Sequence, residues 1–345
     1  MSRWVDASAV VFCSALLLTS GCKKKEADVG EAASSAKVAL SASAASSAAA
    51  PEPSGYAKGE ALSHMPKDCE RGRIYIDVAA FAALAGDAAK GLGDQWTALA
   101  GEDGQAAKKA IAALRKGGFD PATSVKELAV CVDRSEDDMV FAVGMDLSKV
   151  KGDPLDLVLK VARAASKDLK AEKKRAAGLS YLATMGKGDE GVTAILGSSL
   201  VVGKDLKALK RAQQGGGAKK FEAAAKTMFY VNVTVEQGHV SGSLVDAGAD
   251  LKLSGALTLT GDAARALAKD PDATVKQMKG AVDKMATELG KVPSFQELVE
   301  PLKALQLSAE GTTIKANLSL PKKSVQSTIT ATSEMTADDL KQLMR

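Results

Sequence analysis

Met228-Phe229-Tyr230-Val231-Asn232-Val233-Thr234-Val235 and His239-Val240-Ser241-Gly242-Ser243-Leu244-Val245 are two runs in which apolar and small polar residues interleave. A period of two suits a β-strand, whose successive side chains point to opposite faces of a sheet. Gln237-Gly238 between the runs is turn chemistry, and Asp246–Asp250 leads into a third run, Leu251–Thr260. Turns this short join antiparallel neighbours, so the three strands read as a meander.

Downstream of the meander the pattern becomes helical. Asp262 is placed to cap a helix over Ala263–Lys269, and longer helices follow at Ala273–Leu289 and Ser294–Leu302. A hairpin, Leu305–Ala309 with Thr313–Leu320, turns at Glu310-Gly311, and a terminal helix begins at Thr336. Upstream, a similar order appears: a strand at Ile74–Val78, helices over Ala79–Lys90 and Gln105–Lys116, then a hairpin, Lys126–Val132 with Met139–Leu147. A helix near Pro154–Lys173, strands at Leu179–Thr184, Val192–Leu196 and Ser199–Val202, and a helix at Lys204–Gln213 complete that half. Gly215-Gly216-Gly217 marks a boundary. The fold class is therefore α+β: two similar units, residues 59–214 and 218–345, each an antiparallel sheet with helices packed on one face.

The 345 residues carry a formal net charge of +4, with both signs interspersed. That is a solvated surface rather than a footprint for nucleic acid. Aromatic residues are only 4%, which leaves few stacking platforms for bases or sugars.

Residues 1–21 have the layout of a secretory signal: Arg3, an apolar stretch Ala7–Leu18 too short to span a bilayer, then Thr19-Ser20-Gly21 ahead of Cys22. Leu18-Thr19-Ser20-Gly21-Cys22 resembles the lipobox of bacterial lipoproteins, a resemblance confined to the first 22 residues. It implies that the Cys22 thiol receives a diacylglyceryl group, that a type II signal peptidase cuts before it, and that the new amine is acylated. Two or more acyl chains meet the requirement for stable anchoring, at roughly 0.8 kcal/mol per buried CH₂. Lys23-Lys24-Lys25 would then lie at the membrane surface, each lysine gaining about 1 kcal/mol from anionic lipid. Lys23, rather than Asp, follows the Cys, and the resemblance to enteric lipoproteins then implies the outer membrane. The expected location is the cell envelope, facing the periplasm or the cell surface. Residues 22–58 form a tether of Ala, Ser, Gly, Pro and Glu with too little apolar surface for a core. As a flexible coil it reaches about 30–36 Å.

Of the four cysteines, Cys13 leaves with the signal and Cys22 takes the lipid. Cys69 and Cys131 remain, and in an oxidising compartment they are expected to pair. That bridge would close a loop of roughly 60 residues, contributing roughly 2–4 kcal/mol. Two unpaired buried thiols, or a metal site, are the other readings; the latter lacks ligands, with no CxxC and two His in the chain.

No other motif survives comparison with an ordinary structural role. His64 and His239 stand beside the linker and after a turn, and there is no HExxH or GxSxG. Gly197-Ser198-Ser199-Leu200-Val201-Val202-Gly203-Lys204-Asp205 has one residue too many for a phosphate loop, and Asp205 stands where a hydroxyl belongs. Asp133, Ser135, Asp137 and Asp138 lack the central Gly and distant Glu of a calcium loop. Asp77 and Asp120 offer carboxylates near strand ends. No cofactor or metal ligand set is expected. The chain reads as a non-catalytic binding or structural envelope lipoprotein, held to the membrane by its lipid and engaging an envelope protein, a lipid or a cell-wall ligand. The alternative is a carboxylate-dependent enzyme such as a glycan-cleaving hydrolase.

Overall fold

A computed structural model of the chain describes residues 56–88, 101–133, 139–165, 170–176, 178–185, 191–221, 226–235 and 238–335. Its organising strand is β1 (Gly72–Asp77), which pairs antiparallel with β2 (Val125–Val132) on one side and with β8 (Thr227–Val235) on the other. Outward from β2 lie β3 (Met139–Met145), β7 (Ser199–Gly203), β6 (Gly191–Leu196), β5 (Leu179–Met185) and β4 (Lys170–Ala176). Outward from β8 lie β9 (Gly238–Asp246), β10 (Asp250–Leu259), β12 (Thr313–Pro321) and β11 (Gln306–Glu310). The expected α+β class with antiparallel sheet is what forms, but the two expected sheets join edge to edge into one of 12 strands.

The halves share a strand order. In each, three strands step outward from the seam (β1-β2-β3 and β8-β9-β10), helices intervene, and the returning strands add in reverse, the last beside the third. Tyr75 stands opposite Tyr230 at the seam. Tyr75-Ile76-Asp77-Val78 and Tyr230-Val231-Asn232-Val233 also match in residue type, so the seam has a local two-fold character.

The faces differ between the halves. On one face of the first half, Tyr75, Ala129, Cys131, Ala142 and Val201 pack beneath α1 (Glu60–Ser63), α6 (Leu206–Gln214) and the 3₁₀ turn Ala218–Phe221. On the other, Leu128, Val130, Phe141 and Val143 meet Leu114 of α3 (Gly101–Lys116), Phe119 beside the short α4 (Pro121–Ser124), and Leu157 of α5 (Pro154–Ala165). This half therefore has a helical layer on both faces, one more than the sequence suggested. In the second half, Leu251 and Leu320 pack with Leu84 of α2 (Val78–Ala85) and with Val325 and Ile329 of α10 (Lys322–Ser333). Ile314 and Leu318 are buried on that same face, beneath α7 (Gly261–Lys269), α8 (Pro271–Leu289) and α9 (Gln296–Lys303). No helix among the described residues is long and apolar enough to cross a membrane.

Several local expectations change. Residues 170–173 continue no helix; they open β4, an edge strand whose dense charge discourages further pairing. A helix, α10, forms where none was expected, and the one expected from Thr336 lies outside the described residues. Asp262 does not cap α7: Thr260 holds the cap position and Asp262 pairs with Arg265 within the first turn. Gly215-Gly216-Gly217 is clamped rather than loose, with Gly217 donating to the Met65 carbonyl at 2.8 Å and Gly216 bridged to Pro66. A Cβ on Gly217 would meet the Pro66 oxygen at 2.0 Å. Gly217→Ala is therefore expected to destabilise the fold by about 2 kcal/mol or more, read as a lowered thermal midpoint.

Candidate functional site

The register of β1 with β2 sets Asp77 directly opposite Glu127, both on the Tyr75 face. Glu127 is fully buried, which a carboxylate tolerates only when its lone pairs are satisfied. Its Oε1 accepts from the Ala61 amide at 2.6 Å, and its Oε2 accepts from the Gly59 amide and the Tyr75 hydroxyl, each at 3.1 Å. The Tyr56 hydroxyl is a further donor. Gly144 leaves the room this requires, because a Cβ there would sit 2.6 Å from Glu127 Cγ. Burial pushes the Glu127 carboxyl above its ordinary range, against the pull of these hydrogen bonds. Burial, then the Glu127 and Asp77 charges, raises both phenols, so Tyr56 and Tyr75 stay protonated donors. The cluster fastens the first described segment to the sheet. Both Glu127 oxygens are occupied and its surface is fully buried, so the carboxylate acts as an internal acceptor.

Asp77 leads from this clasp to a surface basin. Its Oδ1 caps α2 through the Ala80 amide at 2.8 Å, and its Oδ2 holds Lys58 at 2.7 Å. The basin, about 440 Å³, is lined by Lys58, Asp77, Met228, Lys226, Asp246 and Lys322, with Ala80 and Gly248 between them. Lys322 pairs with Asp246 at 2.6 Å, and the Gly248 amide donates to the same carboxylate at 2.9 Å. The Lys322 ammonium and the Gly248 amide hold the Asp246 carboxyl below its usual range. A second hollow, about 410 Å³ and wide open, lies over Thr287, Lys291, Gln296 and Val299 and gathers no convergent chemistry.

The third feature is the face of the second half that no described helix covers. Pairing aligns Asn232, Ser241, Ala256, Lys315 and Ser308 in one row across five strands, and Thr234, His239, Thr258, Thr313 and Glu310 in another. Between strands, Ser243 meets Ser254 at 3.2 Å and Thr258 meets Thr313 at 2.9 Å. Thr234, Lys252, Ser254, Lys315, Asn317 and Ser319 are exposed. The surface is broad, nearly neutral and rich in hydroxyl and amide groups.

Among the sequence candidates, Cys69 and Cys131 form a disulfide with Cα atoms 5.1 Å apart. Cys22 lies outside the described residues, as do Ser135, Asp137 and Asp138. Asp133 serves a structural role, accepting from Arg211 at 3.0 Å. Ser199–Gly203 is strand β7, and Asp205 caps α6 through the Ala208 amide at 2.8 Å, so the glycine-flanked segment is not a phosphate loop. Asp120 pairs with Arg115 at 3.2 Å, away from the Asp77 partners. His64 lies 3.7 Å from Glu60, and His239 touches Thr234 at 3.3 Å on the open face. Glu127, Lys58, Lys226 and Lys322 were not singled out from sequence, because each acquires its neighbours only through long-range pairing.

No protein-family model and no curated protein matches the chain. Crystal forms III, I and IV of TP0453 are similar to it at 10% identity, with TM-scores of 0.38, 0.36 and 0.38, covering 79%, 77% and 77% of this chain and 97%, 96% and 96% of theirs.

Proposed function

We propose that the chain is an extracytoplasmic lipoprotein, anchored in the cell envelope through Cys22, whose folded part binds a partner without catalysing a reaction. The observation that carries the binding reading is the open five-stranded face. Antiparallel sheets can leave one face to solvent, and this one offers a continuous lattice of hydrogen-bonding side chains instead of an apolar layer. The partner is an envelope protein, a lipid headgroup or a wall component. The carboxylate-enzyme alternative loses ground because Asp77 and Glu127, which lie opposite each other, are both committed to internal donors. The Cys69–Cys131 bridge is in keeping with an oxidising compartment.

Two readouts on cells expressing the full chain test this. Feeding an alkyne-tagged fatty acid should label the protein, and Cys22→Ser should abolish the label and release the protein from membranes. A photocrosslinking residue at Ser254 or Asn317 should give a discrete adduct that the same residue at Lys291 does not. Labelling that persists in Cys22→Ser would overturn the anchor, and identical adducts at all three positions would overturn the face.

A further inference from the structure

We infer that the basin between Lys58, Lys226 and Lys322 is a binding site for a phosphate-type oxyanion. Three ammonium groups reach it from three separate stretches of chain: the residues just ahead of α1, the residue before β8, and the first turn of α10. Two of them are balanced. Lys58 has Asp77 and Lys322 has Asp246. Lys226 is exposed and, among the described residues, makes no close ion pair, although its charge also acts on Asp246.

The acids do not cancel this excess. Asp77 is buried, one oxygen spent on the α2 cap and the other on Lys58. Asp246 spends Oδ1 on both Lys322 and Gly248. An ammonium has three N–H donors, so Lys322 keeps donors beyond its ion pair with Asp246. The twelve-residue α10 also begins here with Pro321 at its cap position and no side-chain cap, so the positive end of its dipole adds to the basin. A phosphate spreads its oxygens tetrahedrally, so it reaches donors from more directions than the flat pair of a carboxylate. Such a group comes either from a phospholipid headgroup or from free phosphate. The basin adjoins Lys58, where the tether joins the domain, so the headgroup source draws on the proposed anchoring while the binding chemistry does not.

The test uses the mature full-length chain with Cys22→Ser, which removes any acyl anchor and separates this result from the fate of the anchoring proposal. Titration calorimetry with inorganic phosphate, and co-sedimentation with phosphatidylglycerol vesicles against phosphatidylcholine vesicles, are read for this chain and for Lys226→Glu and Lys226→Gln. Lys226 is exposed, so both variants should melt with the parent. Binding to at least one probe that weakens about tenfold in Lys226→Glu and less in Lys226→Gln supports the site. Preference for phosphatidylglycerol vesicles identifies the headgroup source, and phosphate binding without vesicle binding identifies the free anion. Absence of both, or binding untouched by Lys226→Glu, overturns the proposal in favour of a rim of internal ion pairs.

Discussion

Replacing Glu127 with alanine is expected to cost about 4 kcal/mol of folding free energy, measured as a lowered urea midpoint at neutral pH. The change removes the acceptor for the Ala61 and Gly59 amides and the Tyr75 hydroxyl, three donors from distant parts of the chain. A buried donor left unsatisfied costs about 1–3 kcal/mol, and the emptied volume adds to that. Glu127→Gln keeps the volume and one oxygen but turns an amide toward groups that also donate, so about half the loss is expected. The same residue should set a pH dependence. Its carboxyl is raised in the folded protein, so the stability linked to its protonation is fully present below the ordinary value of 4.5 and fades as pH climbs through the raised one. Acidifying from neutral pH toward 4.5 should therefore stabilise the natural chain relative to Glu127→Gln. Parallel curves for the two proteins across that window would contradict this assignment.

Removing the Cys69–Cys131 bridge should have an effect of similar size. The cysteines are separated by 62 positions, for which the chain-entropy model gives about 4 kcal/mol. A Cys69→Ala, Cys131→Ala double variant should unfold at clearly lower denaturant than the oxidised chain, and reducing agent should shift the natural chain alone. Because both sulfurs are buried, reduction should be slow until the fold opens. Equal midpoints with and without reductant, once reduction is verified by mass, would show that the bridge contributes nothing measurable.

Much of the sheet was legible because its strands carry their signal locally. The β8, β9 and β10 runs alternate, and their turns are short. Two elements were not. Lys170-Ala171-Glu172-Lys173-Lys174-Arg175-Ala176 has strong helix formers, yet it pairs with β5, buries Ala171 and extends Lys173 to Asp153 and Asp156. Tertiary pairing overrides local preference there. In α10 the reverse holds, since its Ser, Thr, Val and Ile residues suggest a strand or loop while Val325 and Ile329, one turn apart, fasten it over Leu320. Of the sites, the cysteine pair was readable from elimination and compartment. The Glu127 clasp was not, because a Glu inside an apolar strand gives no hint of donors arriving from Gly59 and Ala61. The open face was half readable: alternation announces a polar side, but only the placement of the helices reveals that no described helix covers it.

The disulfide also determines how the folded domain would bear a load. A pull through the tether would enter at Tyr56 and first peel away α1 and its grip on Glu127. At Cys69 the path leaves the main chain and crosses through sulfur to Cys131, near the end of β2. Strand β1, which begins just beyond Cys69 and joins the two halves, then lies in a slack loop off the line of tension. Oxidised, the molecule should yield by a short extension and then hold; reduced, the same pull would run straight into the seam and separate the halves.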